Sequence, residues 1–227
     1  LVTGGSRGIG EMIAAGLLAN GAKVYISSRK AQACNEAAER LMKNFGGECI
    51  PLPANVAEID GIDALVAEIS RREKHVDILV NNAGVRAYEA LAQTTASTWE
   101  KILSVNLLSY AYLIRECLPY LRASQQASVV NISSTHAVNP RSGMGQYDVA
   151  KAGIVSLTKT LAFEEAVHGV RVNAVCPGLT LTPFHVKRAQ ADGKTEQDLR
   201  QEDVTHNIQK RWSAPREIAY PILWLAS

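Results

Sequence analysis

The chain is predicted to be an α/β protein, a doubly wound parallel sheet in a single domain over residues 1–227. Three observations predict this. Short apolar segments alternate with amphipathic helical segments from end to end. The apolar segments, such as Ile78-Leu79-Val80, are continuously apolar, as a parallel sheet covered on both faces requires. A glycine-rich turn joins the first apolar segment to the first helix.

In chain order the predicted strands are 1–2, 23–28, 49–53, 77–80, 127–133 and 170–176. The predicted helices are 9–20, 30–45, 58–73, 97–122, 147–168 and 215–226. Ile9, Ile13, Leu17 and Leu18 share one face of the first helix, and Ile62, Leu65, Val66 and Ile69 make a stripe on the third. Right-handed crossovers between such strands give the Rossmann arrangement, in which ligands bind at the carboxyl ends of the strands. Helix 97–122 carries Trp99, Ile102, Leu103, Leu107, Tyr110, Leu113, Ile114, Cys117 and Leu118, more apolar surface than one face against a sheet needs. It is either a deeply covered helix or part of a subunit interface, and the excess favours the interface. Residues 179–211 hold Leu181, Phe184 and Val186, then a mixed-charge run from Lys187 to Arg211. They read as a long substrate loop able to act as a lid. Lys187 and Arg188 with Arg122 and Arg141 suggest a docking patch, but a solvated face is the better reading of such charges.

A length of 227 residues would allow two domains, but no linker, repeat or low-complexity run interrupts the alternation. The 24 basic and 22 acidic residues nearly balance, which gives no footing for a nucleic-acid or membrane-surface partner. Cys34, Cys49, Cys117 and Cys176 lack Cys-x-x-Cys spacing and read as free thiols in a reducing compartment, the cytoplasm. The histidines at 75, 136, 168, 185 and 206 form no ligand-spaced pair, so no catalytic metal is expected. His136 is placed to line a pocket, though a loop histidine without a role is the simpler reading. No apolar run approaches the roughly 18 residues of a membrane span, and no signal peptide is visible.

The opening run Leu1-Val2-Thr3-Gly4-Gly5-Ser6-Arg7-Gly8-Ile9-Gly10 has the parts of a phosphate cradle. Glycines let the backbone approach a pyrophosphate, and the unpaired amides at a helix N-terminus favour its charge. The spacing Gly4-x-x-x-Gly8-x-Gly10 departs from the common G-x-G-x-x-G, so by itself it is equally a plain glycine turn. In dinucleotide folds an acid about twenty residues past the glycines holds the ribose 2′-hydroxyl. Here Ser28 stands at that place, Arg29 follows, and Arg7 lies inside the turn. Guanidinium suits a 2′-phosphate, so the pattern favours NADP(H) over NAD(H).

Tyr147 and Lys151 are four apart and share one helical face. An ammonium beside a phenol favours phenolate, which suits general acid/base work near neutral pH. Ser134 lies thirteen residues earlier, at the end of Val129-Val130-Asn131-Ile132, where its hydroxyl can meet a carbonyl oxygen. Taken alone, the pair is better explained by a surface helix with a snorkelling lysine.

Assembled, these residues resemble the short-chain dehydrogenase/reductase family, in its single-domain branch. Thr3-Gly4-x-x-x-Gly8-x-Gly10 matches the family's cofactor turn, and Asn81-Asn82-Ala83-Gly84 its second motif. Asn106, Ser134, Tyr147 and Lys151 match its catalytic tetrad, and Val170-Arg171-Val172-Asn173 with Pro177-Gly178 and Thr182 its later cofactor strand and turn. Within the family the nearest resemblance is to 3-oxoacyl-carrier-protein reductases and the rhamnolipid-type reductase.

The resemblance implies that Tyr147 exchanges a proton with the substrate oxygen, Lys151 holds the nicotinamide ribose, Ser134 orients the carbonyl and Asn106 positions a water of a proton relay. It implies cofactor contacts from Gly4, Ser6, Arg7, Gly8, Ile9, Gly10, Ser28 and Arg29. Further contacts are implied for Asn55, Val56, Asn82, Ala83, Gly84, Pro177, Gly178, Thr180 and Thr182. It implies a homodimer or homotetramer through helices 97–122 and 147–168. The expected activity is reduction of a ketone, a 3-oxoacyl thioester or similar carbonyl. An NAD-dependent alcohol, polyol or steroid dehydrogenase and a non-catalytic dinucleotide-binding protein are the alternatives. Asn55 stands where the family usually has Asp on the adenine amine, and Asp148 follows Tyr147 where a small residue is usual. Both ends are expected to be clipped, since only Leu1 and Val2 precede Thr3 and the family continues past Ser227.

Overall fold

The structure, a computed structural model, describes residues 1–202, 204–205 and 207–227; Asp203 and His206, within the expected substrate loop, lie outside the described residues. Strands β1 (Val2–Thr3), β2 (Val24–Ser27), β3 (Cys49–Pro51), β4 (Ile78–Asn81), β5 (Ser128–Ile132) and β6 (Arg171–Val175) form one sheet in the order β3-β2-β1-β4-β5-β6. Every pairing is parallel. Val2 of β1 pairs with Ile26 of β2 on one side and Val80 of β4 on the other, so the strand order reverses at β1. That reversal opens a crevice at the carboxyl ends of β1 and β4.

Helices α1 (Gly8–Ala19), α2 (Ala31–Phe45) and α9 (Pro215–Ala226) supply Ile13, Leu17, Cys34, Leu41 and Ile222 to one core layer, where they pack with Val2, Ile26 and Val130. On the other face Ile62, Leu65 and Ile69 of α3 (Ile59–Arg72) pack with Leu113, Cys117 and Leu121 of α5 (Ser109–Arg122) over Leu79 and Val129. This two-sided cover explains why the strands are apolar without alternation. Gly16 lets α1 and α9 approach closely, since a Cβ there would lie 2.6 Å from a Leu223 methyl.

The predicted helix 97–122 is not one helix. It divides into α4 (Ala96–Leu103), a single π turn at Ser104–Leu108, and α5. Most of its apolar excess is used inside the chain: Ile102, Tyr110, Leu113, Ile114 and Cys117 are buried, while Leu108 stays exposed. The segment 179–211 is not a plain loop either. It contains α7 (Pro183–Ala191), started by a proline in its first turn, and α8 (Glu196–Gln201), started by a Thr195–Asp198 capping box. Leu181, Ala189 and Leu199 make a small core beneath them with Val186 and Trp212.

Helix α6 (Gly145–Glu165) is fixed to the sheet by a buried polar row. Asn81 Nδ2 donates to Asn131 Oδ1 at 2.9 Å, Asn131 Nδ2 donates to Thr158 Oγ1 at 3.0 Å, and Thr158 donates to the Ile154 carbonyl at 2.7 Å. Ser133 Oγ adds a bond to the Lys151 carbonyl at 2.7 Å. Removing the shared amide leaves a buried donor on Asn81 unpaired, which costs about 2 kcal/mol or more. Asn131→Ala is therefore expected to lower the urea midpoint with an unchanged slope, because the fold itself survives.

Candidate active site

The turn after β1 and the turn after β4 are laced together. Thr3 Oγ1 accepts from the amides of Asn82 and Ala83 at 3.0 and 3.1 Å, and Asn82 Nδ2 donates to the Thr3 carbonyl at 3.0 Å. Gly4 and Gly8 take φ of +65° and +62°, the left-handed region that glycine enters without strain. Gly10 lies beneath the turn: a Cβ there would sit 2.3 Å from the Gly4 carbonyl oxygen and 2.5 Å from Asn82 Nδ2. The glycine spacing thus follows from close approach of two loops.

Above this floor is a cleft of about 650 Å³. Gly4, Ser6, Arg7, Gly8 and Ile9 line it from the first turn, Ser28 and Arg29 from the end of β2, and Asn55 and Val56 from beyond β3. Asn82, Ala83 and Gly84 line it after β4, and Pro177, Gly178, Thr180 and Thr182 after β6. Ser134, Tyr147 and Lys151 also face it. Gly10 and Asn106 do not; they act from below. The charge of the cleft has one sign. Arg7, Arg29, Lys30, Arg86, Lys101 and Lys151 line it, and among the described residues no carboxylate does. Asn55 is tied to the start of α3, its Nδ2 donating to Glu58 Oε1 at 2.7 Å and its Oδ1 accepting from the Ala57 amide at 3.4 Å.

Tyr147 and Lys151 sit on the first turns of α6, both buried. Lys151 Nζ donates to the Ile132 carbonyl at 2.7 Å and lies 5.3 Å from the Tyr110 ring and 5.8 Å from the Tyr147 ring. The same Ile132 carbonyl accepts from the Tyr110 hydroxyl at 3.3 Å, and that hydroxyl also reaches the Ala83 carbonyl at 3.1 Å. Burial, then the charge of Arg86, pushes Lys151 down to about 7, with Cys176 opposing. Burial, with Tyr147 adding to it, pushes Tyr110 far up, so its phenol stays a fixed donor. Ser134 Oγ accepts from the His136 amide at 3.1 Å, which leaves the hydroxyl proton available to a ligand.

Asn106 lies in the π turn, a feature that often marks functional positions. Its side chain is committed to Val85: Oδ1 accepts from the Val85 amide and Nδ2 donates to the Val85 carbonyl, both at 2.8 Å. Its side-chain bonds therefore fix the loop after Gly84, whose Cβ position would lie 3.2 Å from Asn106 Oδ1. Asp148, which stands next to Tyr147 where a small residue is usual, turns to the 134–141 loop. It accepts from the Arg141 amide at 2.9 Å and pairs with His136 Nδ1 at 2.7 Å. His136 in turn meets the Tyr147 ring edge-on at 5.8 Å between centroids. Arg122 is held by Glu165, not free for docking.

Three residues at this end had no signal in the sequence pattern. Tyr110 read only as apolar surface. Arg86 and His185 lie 99 positions apart, and no local spacing joins them. Among the described residues no group of three or more His, Cys, Asp or Glu is placed to hold a metal ion, and no helix is long and apolar enough to cross a membrane.

Residues 1–193 match the family model described as short chain dehydrogenase. The rhamnolipids biosynthesis 3-oxoacyl-[acyl-carrier-protein] reductase of Pseudomonas aeruginosa is 36% identical over 234 residues, covering 100% of this chain and 88% of the relative. A 3-oxoacyl-[acyl-carrier-protein] reductase of Synechocystis is 33% identical with the same coverage. Among solved structures, L-sorbose reductase from Gluconobacter frateurii, complexed with NADPH and L-sorbose, superposes with a TM-score of 0.95 at 32% identity over 100% of this chain and 88% of that one. The Pseudomonas aeruginosa RhlG/NADP active-site complex gives 0.90 at 35% identity, again over 100% and 88%.

The depressed Lys151 carries a stability consequence. Its ammonium loses its proton near pH 7 in the folded chain and near its usual 10.5 when unfolded. Between those values the unfolded state binds more protons, so this group makes stability rise with pH across that window. Lys151→Met removes the dependence. Urea unfolding of both proteins from pH 7 to 10 is expected to show the variant ahead at pH 7 and its advantage shrinking towards pH 10.

Proposed function

Because the chain belongs to the short-chain dehydrogenase/reductase family, we propose that it is an NADP(H)-dependent oxidoreductase that reduces a ketone to a secondary alcohol with Tyr147 as general acid. The observation that carries this reading is a buried tyrosine and lysine on one helical face, beside a glycine-floored cleft whose charged groups are all basic. The cleft fits a dinucleotide. Its glycine turn is lined by Gly4 and Gly8, both with positive φ, and its β2 side offers Ser28, Arg29 and Lys30 where a carboxylate would repel a 2′-phosphate. Arg7, Ser28 and Arg29 would hold that phosphate, and the turn from Gly4 to Ile9 with Thr180 and Thr182 the pyrophosphate and amide end. Asn55, Val56, Asn82, Ala83 and Gly84 would flank the adenosine.

When bound, the cofactor supplies a hydride for the carbonyl carbon. Tyr147 delivers the proton to the carbonyl oxygen, and Ser134 donates its free hydroxyl proton to that oxygen in a hydrogen bond, so the oxygen is polarised before protonation. Lys151 keeps two ammonium donors beyond its bond to Ile132, enough to hold ribose hydroxyls and to stabilise phenolate. Asn106 fixes Val85 and with it the loop after Gly84, and a relay water would pass beside it. The 3-oxoacyl-carrier-protein reductases among the relatives support a 3-oxoacyl thioester or a similar ketone as substrate. The unpaired thiols, three of them buried, fit a reducing cytoplasm.

Val149 and Phe163 stand exposed on α6 at 53% and 86%, and Leu108 is exposed on the π turn. Apolar groups of this size on one helix support association of α6 with a second copy, as a homodimer or homotetramer.

Titration followed by nicotinamide fluorescence is expected to give NADPH binding about tenfold or more tighter than NADH, one charge-assisted contact being worth that much. Tyr147→Phe is expected to keep that binding and lose nearly all ketone reduction; normal turnover in the variant would end the mechanism. Light scattering on size-fractionated protein is expected to return a multiple of the chain mass, lowered by Phe163→Asp.

A further inference from the structure

Arg86 is a partly buried cation without a counter-charge. Among the described residues it has no ion-pair partner, whereas Arg40, Arg72, Arg122, Arg200 and Arg211 each have one. Its guanidinium lies 5.2 Å from the centroid of the Tyr147 ring and 5.9 Å from that of Phe184. Its Nη1 is 3.2 Å from His185 Nε2, and His185 Nδ1 is 3.0 Å from Thr182 Oγ1. Burial, then the charges of Arg86 and Arg188, pushes His185 down to about 4, so the ring is neutral. It accepts from Arg86 through Nε2 and donates to Thr182 through Nδ1. A neutral acceptor orients a guanidinium but leaves its charge uncompensated. Arginine has five N–H donors, and one is used by this contact. The Tyr147 and Phe184 rings offset part of the cost of drawing this charge out of water, but they carry no formal negative charge, and an anion would complete the pairing.

We infer that Arg86 determines substrate specificity by receiving an anionic group, a carboxylate or a phosphate, on the ketone whose carbonyl oxygen meets Tyr147. The inference rests on the reductase reading and narrows its substrate class. Since the guanidinium lies against the tyrosine ring, the anion stands within a few bonds of the carbonyl, as in a short oxo acid. A thioester carries no charge at that place, and its carbonyl would leave Arg86 uncompensated.

The test measures kcat/KM with NADPH for acetoacetate, methyl acetoacetate, dihydroxyacetone phosphate and dihydroxyacetone, using the wild-type chain, Arg86→Gln and Arg86→Lys. The wild type is expected to prefer an anionic ketone over its neutral counterpart by about 10- to 100-fold, the value of a charge-assisted hydrogen bond. Arg86→Gln is expected to collapse that ratio through KM, and Arg86→Lys to restore part of it. The acid–ester pair and the phosphate–alcohol pair separate carboxylate from phosphate. A wild-type preference for neutral ketones, or a ratio that Arg86→Gln leaves unchanged while all rates fall, would overturn the inference; the latter would make Arg86 a positioning residue for Tyr147. A second readout is independent of turnover: binding of 3-hydroxybutyrate and its methyl ester to the NADPH-loaded chain, by cofactor fluorescence. If no ketone is reduced, the reductase reading fails alone when the acid binds better than the ester and Arg86→Gln removes the difference. Equal binding of acid and ester removes Arg86 from the site as well.

Discussion

Two backbone turns leave neighbouring strands in opposite directions, one after β1 towards α1 and one after β4 towards the Asn106 loop, and Thr3 with Asn82 holds them at a fixed separation. Every functional group is placed relative to that junction. The glycines at 4 and 10 exist because Asn82 comes so near, and the cleft opens because β1 is where the strand order turns back. From the same junction the polar row through Asn81, Asn131 and Thr158 sets the height of α6. Tyr147 and Lys151 are therefore carried by rigid elements, and the geometry of the proposed proton delivery rests on the helix and the sheet.

The cleft concentrates positive charge that the fold alone does not compensate. Burial, and then the charge of Arg86, makes Lys151 give up its proton more easily, while burial keeps the Tyr110 phenol beneath it protonated. Arg86 cannot shed its charge, so it waits on a neutral histidine. On the proposed reading, anions would meet this charge at two separate places. One lies near Arg7 and Arg29, the other at Arg86. The electrostatics that recognise a dinucleotide thereby continue into the part of the cleft that meets the substrate.

The glycine turn, the Asn81 to Gly84 motif, Ser134 and the Tyr147–Lys151 pair were legible because each is local: a turn that needs left-handed residues, a strand end, two side chains one helical turn apart. The alternation of apolar strands and striped helices made the sheet legible for the same reason. What the sequence hid depends on distant partners. Arg86 finds His185 across 99 positions, and Asp148, adjacent to Tyr147 in the chain, faces His136 and Arg141. The apolar excess of 97–122 shows in the helix pattern, but how much of it α3 and the strands bury is not encoded in the helix itself. Helices α7 and α8 were missed because nine and six residues are too few to show a period amid mixed charges.

The manner in which α6 is anchored has an implication for how this protein can vary. Its second turn is tied to the end of β5 and the residue after it, through Lys151 to Ile132 and Ser133, and deeper down through Thr158, so the exposed stretch from Val138 to Ser142 does not set its position. That stretch is tethered to the helix by Asp148 alone, at His136 and the Arg141 amide, among the bonds described. Evolution or an engineer can lengthen it, or replace it by a segment that closes over a larger ligand, while the chemistry beneath stays in register. A single residue added within β5 would have the opposite effect, rotating Asn131 out of its row and Ser134 off the strand end. The rim of the site is free to drift, and its floor is not.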